Sequence, residues 1–173
     1  FPIGEVLSLI AVYVMACIHL KRPVRHFDDL LQMDGREPLC EEVYVCTEEK
    51  QILEASEQAA RTAAQHGANR RCSGVISLCI EEYGKNIVKW AGQKKKGPMS
   101  LTVRVILNQL GEWKIYMKDN TASFDPVEWI HENRETENDK EVHLGIRLMA
   151  GIADDMQYVQ ALGLNTLIIT VKG

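Results

Sequence analysis

The sequence lacks most of the short signatures that announce a chemistry. It has no Walker-type lysine motif and no G-x-G-x-x-G, so neither a P-loop nor a Rossmann dinucleotide site is encoded. Its five histidines form no H-E-x-x-H and no helical pair. Its five cysteines, Cys17, Cys40, Cys46, Cys72 and Cys79, are odd in number and include no C-x-x-C. That argues against a structural zinc site or a disulfide framework and fits reduced cysteines in the cytosol. An excess of positive charge is missing too. Lys and Arg number 20 against 24 Asp and Glu, a net charge of -4, which argues against a sequence-independent nucleic-acid binder. The one dense basic run, Lys94-Lys95-Lys96 before Gly97-Pro98, reads as a solvated turn. No internal repeat or low-complexity tract is visible. The chain opens on Phe1 rather than Met, which suggests a fragment or a processed chain.

What is present is a composition with a real core: 46% hydrophobic and 25% charged over 173 residues, room for one domain and an appendage. The appendage is at the start. Val6 to Leu20 carries no charge, and Lys21, Arg22 and Arg25 follow. With Phe1 to Glu5 the apolar stretch is about the ~20 residues that a bilayer-spanning helix needs. The charges lie after the run and no small-residue cleavage site follows, so a signal peptide is not expected. Two readings stay open. One is the last transmembrane helix of a larger membrane protein, with its basic exit on the cytoplasmic side. The other is a buried helix of a soluble protein, favoured by Glu5 and the short charge-free run. The first is preferred, giving a membrane helix over 1–25, a linker over 26–39 around Asp34-Gly35-Arg36-Glu37-Pro38, and a domain over 40–173.

Within that domain, Glu42 to Thr47 alternates and is rich in β-formers, which predicts a strand. Thr47 is expected to cap an Ala-rich helix that stops before Gly67. A second helix is expected over about Arg71 to Ala91, with Ile76, Ile80, Tyr83, Ile87 and Ala91 as its buried stripe. Ser100 to Asn108 and Glu112 to Lys118 read as strands around a turn at Leu110-Gly111. Asp125 to Val142 is polar without steady periodicity and is expected to be mainly loop. Leu144 to about Asp154 reads as helix, and Asp155 to Ala161 and Asn165 to Lys172 as a closing pair of strands. The order implies a two-layer α/β (α+β) sandwich, with a mixed, largely antiparallel sheet covered on one face by helices.

Glu82 and Asn86 are four apart on the second predicted helix and share one face, in line with Val75 and Cys79. Polar groups in line with an apolar stripe need partners or a wet cavity. A carboxylate can orient or deprotonate a water, and an amide oxygen suits Mg²⁺. Taken alone, the pair reads first as a solvated helix edge. It is not alone. The segment from Leu78 to Ala91, with its glutamate, three residues and asparagine, resembles the N box of the gyrase, histidine-kinase and anti-sigma-kinase ATPases, the Bergerat or GHKL superfamily. Lys118-Asp119-Asn120-Thr121-Ala122-Ser123-Phe124-Asp125-Pro126 resembles its G1 box. His143-Leu144-Gly145-Ile146-Arg147 is similar to its G2 box, and Gly163-Leu164-Asn165-Thr166 to the start of the last strand of the anti-sigma kinases.

The resemblance implies a Bergerat ATP-binding fold with ATP and Mg²⁺ as cofactors. It implies Glu82 as the catalytic base, Asn86 as the Mg²⁺ ligand, Lys89 as a phosphate contact and Asp119 as the acceptor for the adenine amino group. Gly145 and Ile146 would lie at the phosphates and Thr166 near the adenine. Two residues depart from the family pattern. Thr121 stands where the G1 glycine is expected, and a positive φ there would be strained. His143 replaces the first G2 glycine. The first 25 residues show a further resemblance to the end of a MATE-type efflux transporter. The function so implied is an anti-sigma-like serine protein kinase or ATPase with a protein substrate or regulatory partner. It would be a cytoplasmic domain at the inner face of the cell membrane, held there through the N-terminal helix. The alternative is a non-catalytic regulatory module that binds nucleotide or protein. No nucleic-acid partner is expected.

Overall fold

The computed structural model describes residues 2–20, 37–91, 98–133 and 144–173. The chain divides into two units, Phe1–Pro38 and Leu39–Gly173. The first contains helix α1, Pro2–Leu20, whose Val6, Leu7, Ile10, Tyr13, Val14 and Ile18 are exposed. Among the described residues no helix is long and apolar enough to cross a membrane. The expectation of a bilayer-spanning helix is therefore not met by α1. Its described residues include Glu5 and His19. The expected linker lies largely outside the described residues.

The second unit follows the expected element order with one addition. Strand β1 (Cys40–Cys46) leads to α2 (Glu49–Gln65) and α3 (Arg70–Ala91). Then come β2 (Leu101–Leu107), β3 (Glu112–Asp119), α4 (Pro126–Glu132), α5 (Leu144–Ile152), β4 (Asp155–Ala161) and β5 (Leu164–Lys172). The strands form one sheet in the order β1-β2-β3-β5-β4. Every pair in it is antiparallel, so no mixed ladder is present among the described strands.

The core lies between this sheet and the helices. Period-2 alternation sends Leu101, Val103 and Val105 of β2, Trp113, Ile115 and Met117 of β3, and Leu167, Ile169 and Val171 of β5 to one face. Ile52, Ala55, Ala59 and Ala63 of α2 and Ile76, Ile80, Tyr83 and Ile87 of α3 close on them, with Ile146 and Met149 of α5. The predicted stripe on α3 is thus the buried face, except that the side chain of Ala91 lies outside the described residues. Alanine-rich α2 lets the two long helices approach closely. At Gly84 any Cβ would run into the Ile52 side chain, so glycine is required there.

Three local expectations are corrected. Thr47 is not the cap of α2. Glu48 holds that position without a side-chain bond, while the Thr47 N–H and hydroxyl both donate to Gln51 Oε1, at 2.7 and 3.1 Å. The segment expected to be mainly loop contains α4. Asp125 Oδ1 accepts from the N–H groups of Val127 and Glu128 at 2.8 and 3.0 Å, and Pro126 occupies the first helical turn. Asp-Pro is thus a helix start: a carboxylate satisfies free N–H groups, and proline sits where none is needed. The rest of that segment, with His143, lies outside the described residues, as do Lys94, Lys95 and Lys96. Finally, Thr121 carries no backbone strain, since the non-glycine residue described with positive φ is Leu162, at 55°. Leu162 and Gly163 (φ 76°) form the two-residue β4–β5 hairpin, whose type requires left-handed backbone at both positions.

Candidate functional site

Asp119 ends a core row. It is the fourth inward-facing residue of β3 after Trp113, Ile115 and Met117, and it is 1% exposed. A carboxylate in that position must be surrounded by donors. Oδ2 accepts from the Tyr83 hydroxyl of α3 at 2.9 Å. Oδ1 accepts from Thr121 N at 2.8 Å, Thr121 Oγ1 at 2.5 Å and Asn165 Nδ2 at 3.0 Å. Asn165 is the β5 residue directly opposite Asp119 in the ladder. Its amide also donates to the Thr121 carbonyl at 3.2 Å, and its Oδ1 accepts from Tyr158 of β4 at 2.9 Å. The Tyr158 hydroxyl lies 3.2 Å from Ser123 Oγ. The result is a chain of side chains from the core to the surface. Burial, and then the Asp119 charge beside it, push the Tyr83 hydroxyl well above the ordinary tyrosine value, so it stays a donor. Burial also raises Tyr158.

One residue earlier on α3, about 100° round the helix from Tyr83, stands Glu82. Its side chain is 26% exposed and its Oε1 lies 3.3 Å from Lys85 Nζ, which also reaches Glu81 Oε2 at 3.5 Å. The hydrogen bond to Glu82 is the leading cause that raises the Lys85 ammonium above its ordinary value. Glu81 is held in turn by Ser56 and Ser77 at 3.2 and 3.4 Å. Against Glu82 lies Gly145 in the first turn of α5, where any Cβ would run into the carboxylate. Asn86, half-exposed one turn on, has no hydrogen-bond partner among the described residues, and Lys89 in the last turn is exposed.

The structure therefore brings four of the expected residues to one region by way of α3: Glu82 and Asn86 on the helix, Gly145 against Glu82, and Asp119 through Tyr83. It separates two others. Ile146 is 1% exposed and packs in the core, so only its main chain is available to a ligand. Thr166 pairs with Lys118 and, by strand alternation, turns to the face opposite Asp119, whereas Asn165 pairs with Asp119 and shares its face. Tyr83, Asn165 and Tyr158 were not singled out from the sequence. A hydroxyl inside the α3 stripe was the available signal for Tyr83, since a buried Tyr O–H usually has a partner. Asn165 required the strand register. Among the described residues no group of His, Cys, Asp and Glu is placed to hold a metal. Asn86 offers a single free amide oxygen, which fits the way Mg²⁺ binds, through one or two protein oxygens plus phosphates and water.

A five-stranded antiparallel sheet under two long helices, with a buried aspartate at the end of β3 and a carboxylate-amide pair on the helix above it, defines a two-layer nucleotide-binding domain of the GHKL class. The chain belongs to the histidine kinase-like ATPase domain family, whose model matches residues 46–171. That membership supports ATP as the ligand. No curated protein matches the sequence. Among solved structures, the RsbU and RsbW domains of Rv1364c from Mycobacterium tuberculosis are similar at 16% identity and a TM-score of 0.54. That match covers 79% of this chain, which spans about a third (33%) of the other. A chain of the SiaB–SiaC complex from Pseudomonas aeruginosa is similar at 14% identity and a TM-score of 0.58, over 97% of this chain and 99% of that one. At these identities the likeness is one of fold. Neither the family match, which begins at residue 46, nor the near full-length structural match supports the transporter resemblance of the N-terminal segment.

Proposed function

We propose that this domain binds ATP with Mg²⁺ and acts as an anti-sigma-like serine protein kinase or ATPase. The observation that carries the reading is the double contact of one helical turn: Tyr83 reaches Asp119 while its neighbour Glu82 packs on Gly145. Three motifs far apart in sequence meet there. Asp119 takes the base amino group, and Asn165 replaces Thr166 as its neighbour on β5. Asn86 would hold Mg²⁺ through its amide oxygen, and the metal would offset phosphate charge. Lys89 contacts phosphate, and the main chain of Gly145 and Ile146 at the start of α5 presents N–H groups to it. Glu82 orients a serine hydroxyl or a water and takes its proton as the oxygen attacks the γ-phosphorus. Lys85, paired with Glu82 in the ligand-free protein, must release it first. Such catalysis is mainly positioning and electrostatics.

A specific observation favours a second reading, a regulatory module without turnover: Asp119 already accepts from protein donors on both oxygens, three of them on Oδ1. Solved structures of similar fold include a two-protein complex, and a protein substrate or regulatory partner belongs to either reading. Attachment to the inner face of a cell membrane stays in the proposal on the uncharged run Val6 to Leu20, its basic exit and the exposed apolar side chains of α1. Membrane fractionation of the full chain against residues 39–173 tests it, and equal partitioning would remove that clause.

The test of the main reading is calorimetric titration of ATP, with and without Mg²⁺, into the protein and its Asp119→Ala and Asn86→Ala variants. Binding lost in the first and a weakened Mg²⁺ dependence in the second are expected. A folded protein that takes up no ATP and no fluorescent analogue would sink the nucleotide reading. Transfer of the γ-phosphate, abolished by Glu82→Gln with binding intact, separates enzyme from module.

A further inference from the structure

The two edges of the sheet are not alike. At one edge, the exposed residues of β4 are Asp155, Gln157 and Gln160. At the other, those of β1 are Glu41, Val43 and Val45, and the two valines are 43% and 63% exposed. Natural sheets guard an unpaired edge with lysine, proline, a bulge or charges. Cys40 to Cys46 contains no lysine or proline. Its ladder with β2 runs without a bulge from Cys40 opposite Leu107 to Cys46 opposite Leu101. The charge of Glu41 is matched by Arg104, 2.8 Å away. Glu42, on the helix side, is the acid left over, and it turns away strands that would set another acid beside it. Among the described strands none lies on the outer side of β1, so the backbone groups along that side are open to a further strand.

We propose that β1 is a self-association edge, along which two copies of this chain pair antiparallel about a two-fold axis and join two five-stranded sheets into one. The order of charge along the strand points to a second copy as the occupant. Glu41 and Glu42 come first, and Val43 and Val45 follow. A parallel mate of the same sequence would set each acid beside itself. An antiparallel mate reverses the order. With Tyr44 of each copy opposite Tyr44 of the other, Val43 meets Val45 on the face away from the helices, while Glu41 meets Thr47 and Glu42 meets Cys46. Opposed apolar β-branched residues favour strand pairing, and opposed like charges oppose it. The contact uses the same edge of both copies, so it closes at two. It does not depend on the nucleotide reading, since β1 carries none of the residues assigned to that site.

The experiment is sedimentation of the full chain over a range of concentrations, beside two double variants. Val43→Lys with Val45→Lys sets lysines opposite one another, and Val43→Ile with Val45→Ile keeps the edge apolar. Thermal melts verify that each is folded. A single strand edge makes a small interface, so a dimer with a dissociation constant on the order of 10 μM is expected. The lysine variant should weaken it roughly tenfold or more, and the isoleucine variant should keep it. Hydrogen exchange reads the geometry: the backbone amides of β1 in the native chain should slow as concentration passes that constant, and this decides alone if the lysine variant does not fold. A native chain that stays monomeric well above that concentration overturns the proposal. So does a dimer that the folded lysine variant keeps, or one that Met15→Glu with Ile18→Glu in α1 abolishes while the β1 amides exchange at an unchanged rate.

Discussion

The two sides of α3 at residues 82 and 83 are built on opposite principles. On the Tyr83 side, Asp119, Asn165 and Tyr83 are each 2% exposed or less and their polar atoms are matched to one another. On the Glu82 side, the carboxylate is a quarter exposed, its cation is a surface lysine and the adjacent amide of Asn86 is free among the described residues. A closed network resists change because removing any member strands the others in a dry site. An open pair costs little to rearrange, since exposed ion pairs contribute about 0–1 kcal/mol. In the proposed function one side holds a base in a fixed place and the other must release its lysine before it can act.

The sharpest way to break this contrast is Asp119→Ala. It leaves the Tyr83 hydroxyl and the Asn165 amide short of an acceptor, and a loss of roughly 3 kcal/mol is expected in urea unfolding, together with loss of ATP binding. Gly145→Ala tests where the two sides meet. A Cβ there displaces the end of Glu82, a flexible group. Phosphate transfer should fall at least tenfold while stability changes by about 1 kcal/mol or less. Glu82→Ala in the same chain should restore that stability without restoring transfer.

The closed side should also be visible in pH. The Tyr83 value is raised in the folded protein, so its protonated form is favoured by folding. That contribution is complete below the unfolded tyrosine value of about 10 and is lost as pH rises from there toward the folded value. Melts between pH 9 and 11 should show declining stability, and Tyr83→Phe should flatten the decline. The smallest effect belongs to the open side. Lys85→Ala should change stability by about 0.5 kcal/mol or less, and a larger loss would mean that the Glu82 side is more rigid than its exposure indicates. The Cys79 thiol, pushed up to about 12 by burial, marks the closed interior. It should resist alkylation at pH 8 in native protein and react on unfolding.

Much of the fold was readable because its elements are strongly patterned. The α3 stripe at Ile76, Ile80 and Ile87 and the alternation in β2, β3 and β5 state helix and strand in local terms. The misses share a cause. Asp125-Pro126 starts α4 through a side-chain cap on a helix too short to show a period. Thr47 serves α2 through Gln51, although its position and type invited a direct cap. Thr166 and Asn165 are adjacent on β5, and choosing between them depends on a ladder register set by β3. The N-terminal apolar run showed its helix but not its environment.

By itself the sequence determined the core-facing rows, the helix carrying Glu82 and Asn86 on one face, and the order of the motifs, because those follow from spacings of two to four residues. Only the tertiary structure decided that Asp119 is shared among Tyr83, Thr121 and Asn165 and that Gly145 gives Glu82 its space. Apart from the local Thr121 bond, those contacts join residues 36 to 63 positions apart, and whether a buried group is satisfied depends on which partners the folded sheet and helices bring within hydrogen-bond distance.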